Sequence, residues 1–182
     1  MVSHIVLFAR DLTSKDSEKP MHLRYLKIMF ATLTSLMALV YVTQNLVNAD
    51  AAHQAIIYVM SGTDHTVYTN SFGPKFSNPS LGWIVVVIIF SLEYAAGLLL
   101  AKGTWDMWQA RNSDSATFAA SKKWAQIGSG VGVFVWFGLF GVIGAAFFQM
   151  WQTTIGTGSM NGAFQYFVSC AITLLFLNQA DE

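Results

Sequence analysis

One acidic side chain stands deep within an uncharged stretch: Glu93, in the run 81–101. At the 1.5 Å rise of a helix it lies roughly 12 Å from the nearer end of that run. An ionised carboxylate at such a depth in hydrocarbon costs at least about 2.5 kcal/mol. Glu93 is therefore expected to face other helices and not lipid. At the same depth, neighbouring runs offer Thr34, Ser35, Trp136, Ser169, Cys170 and Thr173. A hydrogen bond from one or more of them to Glu93 is expected, because helices in a bilayer are joined by close packing and such bonds. The group would serve either as glue between helices or as the contact for a proton, an ion or a quinone. A lone carboxylate, with no second one along a path, favours the structural role.

A second polar set gathers near the opposite ends of the apolar runs. Gln44 and Asn45 close the first run, and Gln149, Gln152 and Asn161 lie between the third and fourth. They read as a polar rim that satisfies loop and helix-end backbone groups. His53 and His65, near Asp50 and Asp64, hold metal-ligand chemistry, but their spacing matches no closed motif and no metal site is assigned. No apolar run contains a histidine, which argues against a haem held between helices. There is no nucleotide-binding loop, nucleophile elbow or Cys-x-x-Cys, so no catalytic residue and no cofactor is assigned. Cys170 is the single cysteine, which excludes an internal disulfide.

The elements that must position these residues are four uncharged or nearly uncharged runs, at about 27–47, 81–101, 127–148 and 162–177. The chain is 54% hydrophobic and 11% charged, against about 25% charged for a soluble domain. About 20 apolar residues cross a ~30 Å hydrocarbon core as a helix, and only helices or closed barrels satisfy the backbone there. The runs lack the polar stripe that a soluble bundle needs. The expected fold is all-α: a four-helix transmembrane bundle forming one domain over 27–178, preceded by a partly apolar extension, 1–26. The fourth run is short and is expected to recruit Asn161 and Asn178 at its ends. A zero formal net charge gives no basic face for nucleic acid. Membrane lipids and other membrane subunits are the expected partners.

Lys and Arg set orientation. Nine of the ten basic residues precede the first run or lie between the second and third, and only Lys75 falls elsewhere. Both termini are accordingly expected on the cytoplasmic side. Trp83 and Trp151 would mark the outer interface; Tyr25, Trp105, Trp108 and Trp124 would mark the inner one. In the first external loop, 51–60 reads as a short amphipathic helix capped by Asp50. Asn78-Pro79 reads as a helix start. The apolar knot Ile5-Val6-Leu7-Phe8 suits an interfacial helix or a partner surface. Gly128, Gly132, Gly138, Gly141 and Gly144 are read as helix-packing positions that make the third span the hub of the bundle.

Several stretches resemble a bacterial family of predicted small integral membrane proteins, a domain of unknown function, over residues 24–181. They are Gln44-Asn45-Leu46 leading to Asp50; Val59-Met60-Ser61 followed by Asp64; Trp83 and Glu93; Trp136-Phe137 with Phe148; Met150-Trp151-Gln152; and Gly162-Ala163-Phe164 with Phe167. In the family pattern an acidic residue often stands at the position of Ala146 and a basic one at that of Gln165, so this chain lacks that pair. The resemblance implies the four-span fold and a place in the bacterial inner membrane, and no activity. The functional expectation is a non-catalytic accessory or structural subunit of a larger membrane complex, possibly respiratory in kind. The alternatives are a small oligomeric transporter or channel using Glu93, and a quinone- or lipid-binding protein.

Overall fold

The structure, a computed structural model, describes residues 21–181; the apolar knot at 5–8 lies outside them. Helices make up 81% of the described chain, which has no strands. In order they are α1 (Met21–Val47), α2 (Ala49–Ser61), α3 (Pro79–Ala110), α4 (Ser115–Ser121), α5 (Lys123–Val133), a π-helical continuation of α5 (Phe134–Phe147), a 3-10 turn (Met150–Gln152) and α6 (Thr154–Leu177). Four stretches are long and apolar enough to cross a membrane: His22–Val47, Pro79–Ala110, Ser115–Phe147 and Thr154–Leu177. They run up and down. The start of α1, the end of α3, the start of α5 and the end of α6 share one end of the bundle, where Lys27 meets Asp181 and Arg24 meets the carbonyl of Arg111. This is called the lysine end below.

The fourth span is not short. It begins at Thr154, eight residues before the expected start at 162. The stretch 154–161 is helical, with a capped start and with the hydroxyls of Thr157 and Ser159 bonded to backbone carbonyls. The Thr153 side chain caps the helix by accepting from the Gly156 N–H at 3.1 Å. Thr157 donates to the Trp151 carbonyl at 2.8 Å, and Ser159 to that of Ile155 at 2.9 Å. Asn161 therefore lies inside α6. At α3 the Asn78 side chain accepts from the Ser80 N–H, with Pro79 in the first turn. Helix α2 starts at Ala49, two residues early, so Asp50 sits in its first turn and does not cap it.

The centre of the bundle is shared by α3 and the third span, which packs on both α3 and α6. Helix α3 packs along α1 on one side and α5 on the other, with α2 and α4 against it. Close approach is permitted where side chains are missing. A Cβ on Gly103 would lie 2.1 Å from the Ala125 nitrogen, and one on Gly128 would lie 2.7 Å from that of Leu100. Gly97 accommodates Leu39 in the same way. Gly132 packs on Cys170 and Gly144 on Met150. A Cβ on Gly138 or Gly141 would lie nearest Phe134, Phe137 and the Trp136 carbonyl, all of their own helix. They lie in the π-helical stretch, which ends with the Phe148 N–H donating to the Ile143 carbonyl five residues back. Glycines there weaken the hold of the tighter α-turn.

Candidate functional site

Glu93 is buried on α3, as an acidic group at that depth must be. Its contacts come from other spans. The Asn45 amide of α1 donates to Oε2 over a long 3.5 Å, and the Trp136 indole approaches from the third span. Asn45 thus leaves the expected rim and becomes the carboxylate's neighbour. Trp136 in turn stacks on Tyr166 of α6, with ring centroids 4.8 Å apart, and Tyr41 meets Tyr166 edge-on at 4.6 Å. The Tyr166 hydroxyl is buried without a hydrogen-bond partner among the described residues. One carboxylate and three aromatic rings thereby join all four spans.

The other polar side chains at that depth do not reach Glu93. Thr34 pairs with Thr173, hydroxyl to hydroxyl, at 2.8 Å. Ser35 donates to the Gly97 carbonyl at 2.8 Å, tying α1 to α3. Ser169 returns to the Gln165 carbonyl of its own helix, and Cys170 is buried against Gly132. Hydroxyls on helices bond the carbonyl four residues back when nothing better is in reach, so equal depth alone did not make them partners. A groove of about 270 Å³ opens between α1 and α6, floored by Thr34, Ser169 and Thr173 and walled by Leu33, Met37 and Ile172.

The expected outer rim is divided. Gln152 is its working member. Its Oε1 accepts from the N–H groups of Val67 and Tyr68 at 3.0 and 2.7 Å, and its Nε2 donates to Gln149 Oε1. It pins the 62–78 loop to the turn between the third and fourth spans. Gln44 and Asn161 are exposed and stand apart from this pair. The histidines also separate. His53 stacks on Trp83 at 4.4 Å and its Nε2 bonds the Pro79 carbonyl, while Asp64 accepts from the Tyr58 hydroxyl. Burial, then the Lys75 charge, holds His65 below the usual histidine pKa. Among the described residues no three His, Cys, Asp or Glu side chains converge as metal ligands.

Sequence reasoning missed the site at the lysine end. Asp181 is clamped by two ammonium groups: Lys27 Nζ lies 2.6 Å from its Oδ1, and Lys122 holds its Oδ2. Both lysines and the carboxylate are buried. Lys27 also donates to the carbonyls of Gln179 and Ala180, and Ser115 to that of Asp181. Arg24 is buried beside them, donating to the carbonyls of Arg111 and Ser113 with its guanidinium over the Phe118 ring. Asp114 caps α4, and the N–H and hydroxyl of Thr117 hold its carboxyl below the usual range. The cluster joins the starts of α1 and α5 to the segment after α6.

The family model described as Predicted small integral membrane protein (DUF2165) matches residues 23–180. No curated protein and no solved structure matches the chain. The matched stretch takes in Glu93 and its neighbours and the three cations of the lysine end. Ala146 and Gln165 are both exposed on the bundle surface.

Proposed function

Since the chain belongs to the family of predicted small integral membrane proteins, we propose that it is a non-catalytic subunit that packs against other spans in a larger complex of the bacterial inner membrane. The observation that carries this reading is the unused surface of the third span. The atoms nearest a Cβ on Gly138 or Gly141 belong to their own helix, and Phe134 and Phe137 beside them are more than half exposed, although Phe137 also stacks on Phe167 of α6. Lipid gives no hydrophobic reward for helix contact, so bare glycine beside large rings is where a neighbouring helix gains by close packing. The interior points the same way. Thr34 with Thr173, Ser35 with the Gly97 carbonyl, and the lysines with Asp181 are bonded to one another. Polar groups committed to joining helices are the economy of a scaffold.

With nine of the ten basic residues on that side of the spans, the lysine end is read as cytoplasmic. The test is mass. Extracted from its own membrane in mild detergent, the 20.0 kDa chain is expected to run in a larger particle with co-migrating polypeptides. Replacing Gly138 and Gly141 together by Leu should release it. A chain that runs alone at its own mass overturns the proposal.

A further inference from the structure

The loop 62–78, at the end of the bundle away from the lysines, is built against the edge of the membrane-spanning surface. Between Asp64 with His65 at one side and Lys75 at the other, the nine residues 66–74 carry no charge. Three of their side chains are large, apolar and turned outward: Val67 at 64% exposure, Tyr68 at 59% and Phe72 at 86%. The loop is held in that posture. Gln152 accepts from both Val67 and Tyr68 through one oxygen and donates back to the Tyr68 carbonyl. The Tyr68 ring meets Trp151 edge-on at 5.1 Å, and the Phe76 N–H donates to the Met60 carbonyl at 2.9 Å.

The depth of the loop follows from one contact. Phe72 packs edge-on against Phe147 at 5.1 Å, and Gly73 lies so close to that ring that a Cβ would sit 2.5 Å from it. Phe147 is the last residue of the third span. The face running into it, Val142, Ile143 and Ala146, is exposed and apolar. Phe72 therefore continues the exposed apolar surface of that span beyond its end, at the level where hydrocarbon would meet headgroups. Amphipathic rings such as Tyr68 and Trp151 collect at that level.

We propose that residues 66–74 form a membrane-surface binding element, with Phe72 and Val67 immersed at the acyl–headgroup boundary of the leaflet they face and Tyr68 at the headgroups. The occupant is lipid and not a second protein, because the patch carries no charge and lies past the end of a span, beyond the Gly138–Gly141 stretch proposed for a neighbouring helix, at the level of the Tyr68 and Trp151 rings.

The experiment uses spin-labelled full-length chain in phosphatidylcholine–phosphatidylglycerol vesicles. Labels are placed at Phe72→Cys, Val67→Cys and, as a control on the charged shoulder of the loop, Thr63→Cys. The unsubstituted chain, whose one cysteine is buried, is the blank. Power saturation should show the labels at 72 and 67 reached several-fold better by oxygen than by a water-soluble nickel chelate, with the ratio reversed at 63. Equal chelate access at 72 and 63 overturns the proposal, since the loop then stands in water. Shielding of 72 from both reagents also overturns it, since protein then covers the patch. If Phe72→Cys does not fold, the result at Val67→Cys decides on the same terms.

Discussion

Asp181 receives two buried lysines, and that arrangement determines what its loss does. Removing one member of a buried ion pair leaves the other charge desolvated and uncompensated, at about 3–5 kcal/mol. Asp181→Asn keeps the shape and strands two ammonium groups, so it should destabilise the chain by about that amount in thermal unfolding in detergent. Lys102 and Asp106 provide the contrast. Theirs is an i,i+4 pair with the lysine more than half exposed, and such pairs contribute about 0.3–0.5 kcal/mol. Lys102→Ala should scarcely move the midpoint. Equal effects from the two substitutions would mean that the lysine end is wetter than its burial indicates. Glu93 was legible as a buried group from its depth in an uncharged run. The Lys27–Asp181 pair was not, because 154 residues separate its members and each also reads well as a solvated end charge. Nor did depth tell Trp136 from Thr34, Ser35, Ser169, Cys170 and Thr173 as a neighbour of Glu93, and it set Asn45 apart in the outer rim. Helix rotation decides that, and runs apolar on every side carry no signal of it.

At the scale of the helix, glycine divides into two kinds that look alike in sequence. Gly103 lies where α3 touches α5, with no room for a methyl group before the Ala125 backbone. Gly130, on α5, has open space where its Cβ would be. Gly103→Ala must push two spans apart, which overpacking data place at about 1–3 kcal/mol. Gly130→Ala meets nothing and restricts the unfolded chain, so it should be neutral or stabilising by about 0.4–1 kcal/mol. Unfolding midpoints of the two variants, measured in the same detergent, should shift in opposite directions or by clearly different amounts. A matching loss in both would place a neighbour on the Gly130 face. The existence of all four spans was readable because absence of charge over ~20 residues is a strong signal. Their packing order was not. Gly128 and Gly132 lie against α3 and α6, Gly144 lies against Met150 of the turn that follows its own helix, and Gly138 and Gly141, in the same apparent row, have side chains and backbone of their own helix nearest. The row drifts when the helix widens to a π-turn, and the sequence gives no measure of that widening.

For the whole molecule, the lysine end also bears on how the chain sits in its membrane. Orientation follows cations near the span ends, yet three of those counted, Arg24, Lys27 and Lys122, are buried in the described fold. If they set orientation, their charge acts during insertion, before Asp181 is captured; among the described residues, Lys102 and Lys123 are the lysines exposed at that end of the fold. Labelling must therefore use them and not Lys122, which Asp181 and the Gln179 carbonyl enclose. An amine reagent that cannot cross membranes, added to sealed cells, should modify Lys75, which is exposed on the opposite loop. It should reach Lys102 and Lys123 only after the membrane is opened. Lys75 lies beside the uncharged patch at 66–74, so its labelling also requires that only the shoulder of that loop stands in water. Modification of Lys123 in intact cells at the rate of Lys75 would reverse the assignment of the cytoplasmic side. The helix contacts and the Asp181 clamp would stand, since they depend on the spans lying antiparallel and not on which compartment the lysines face.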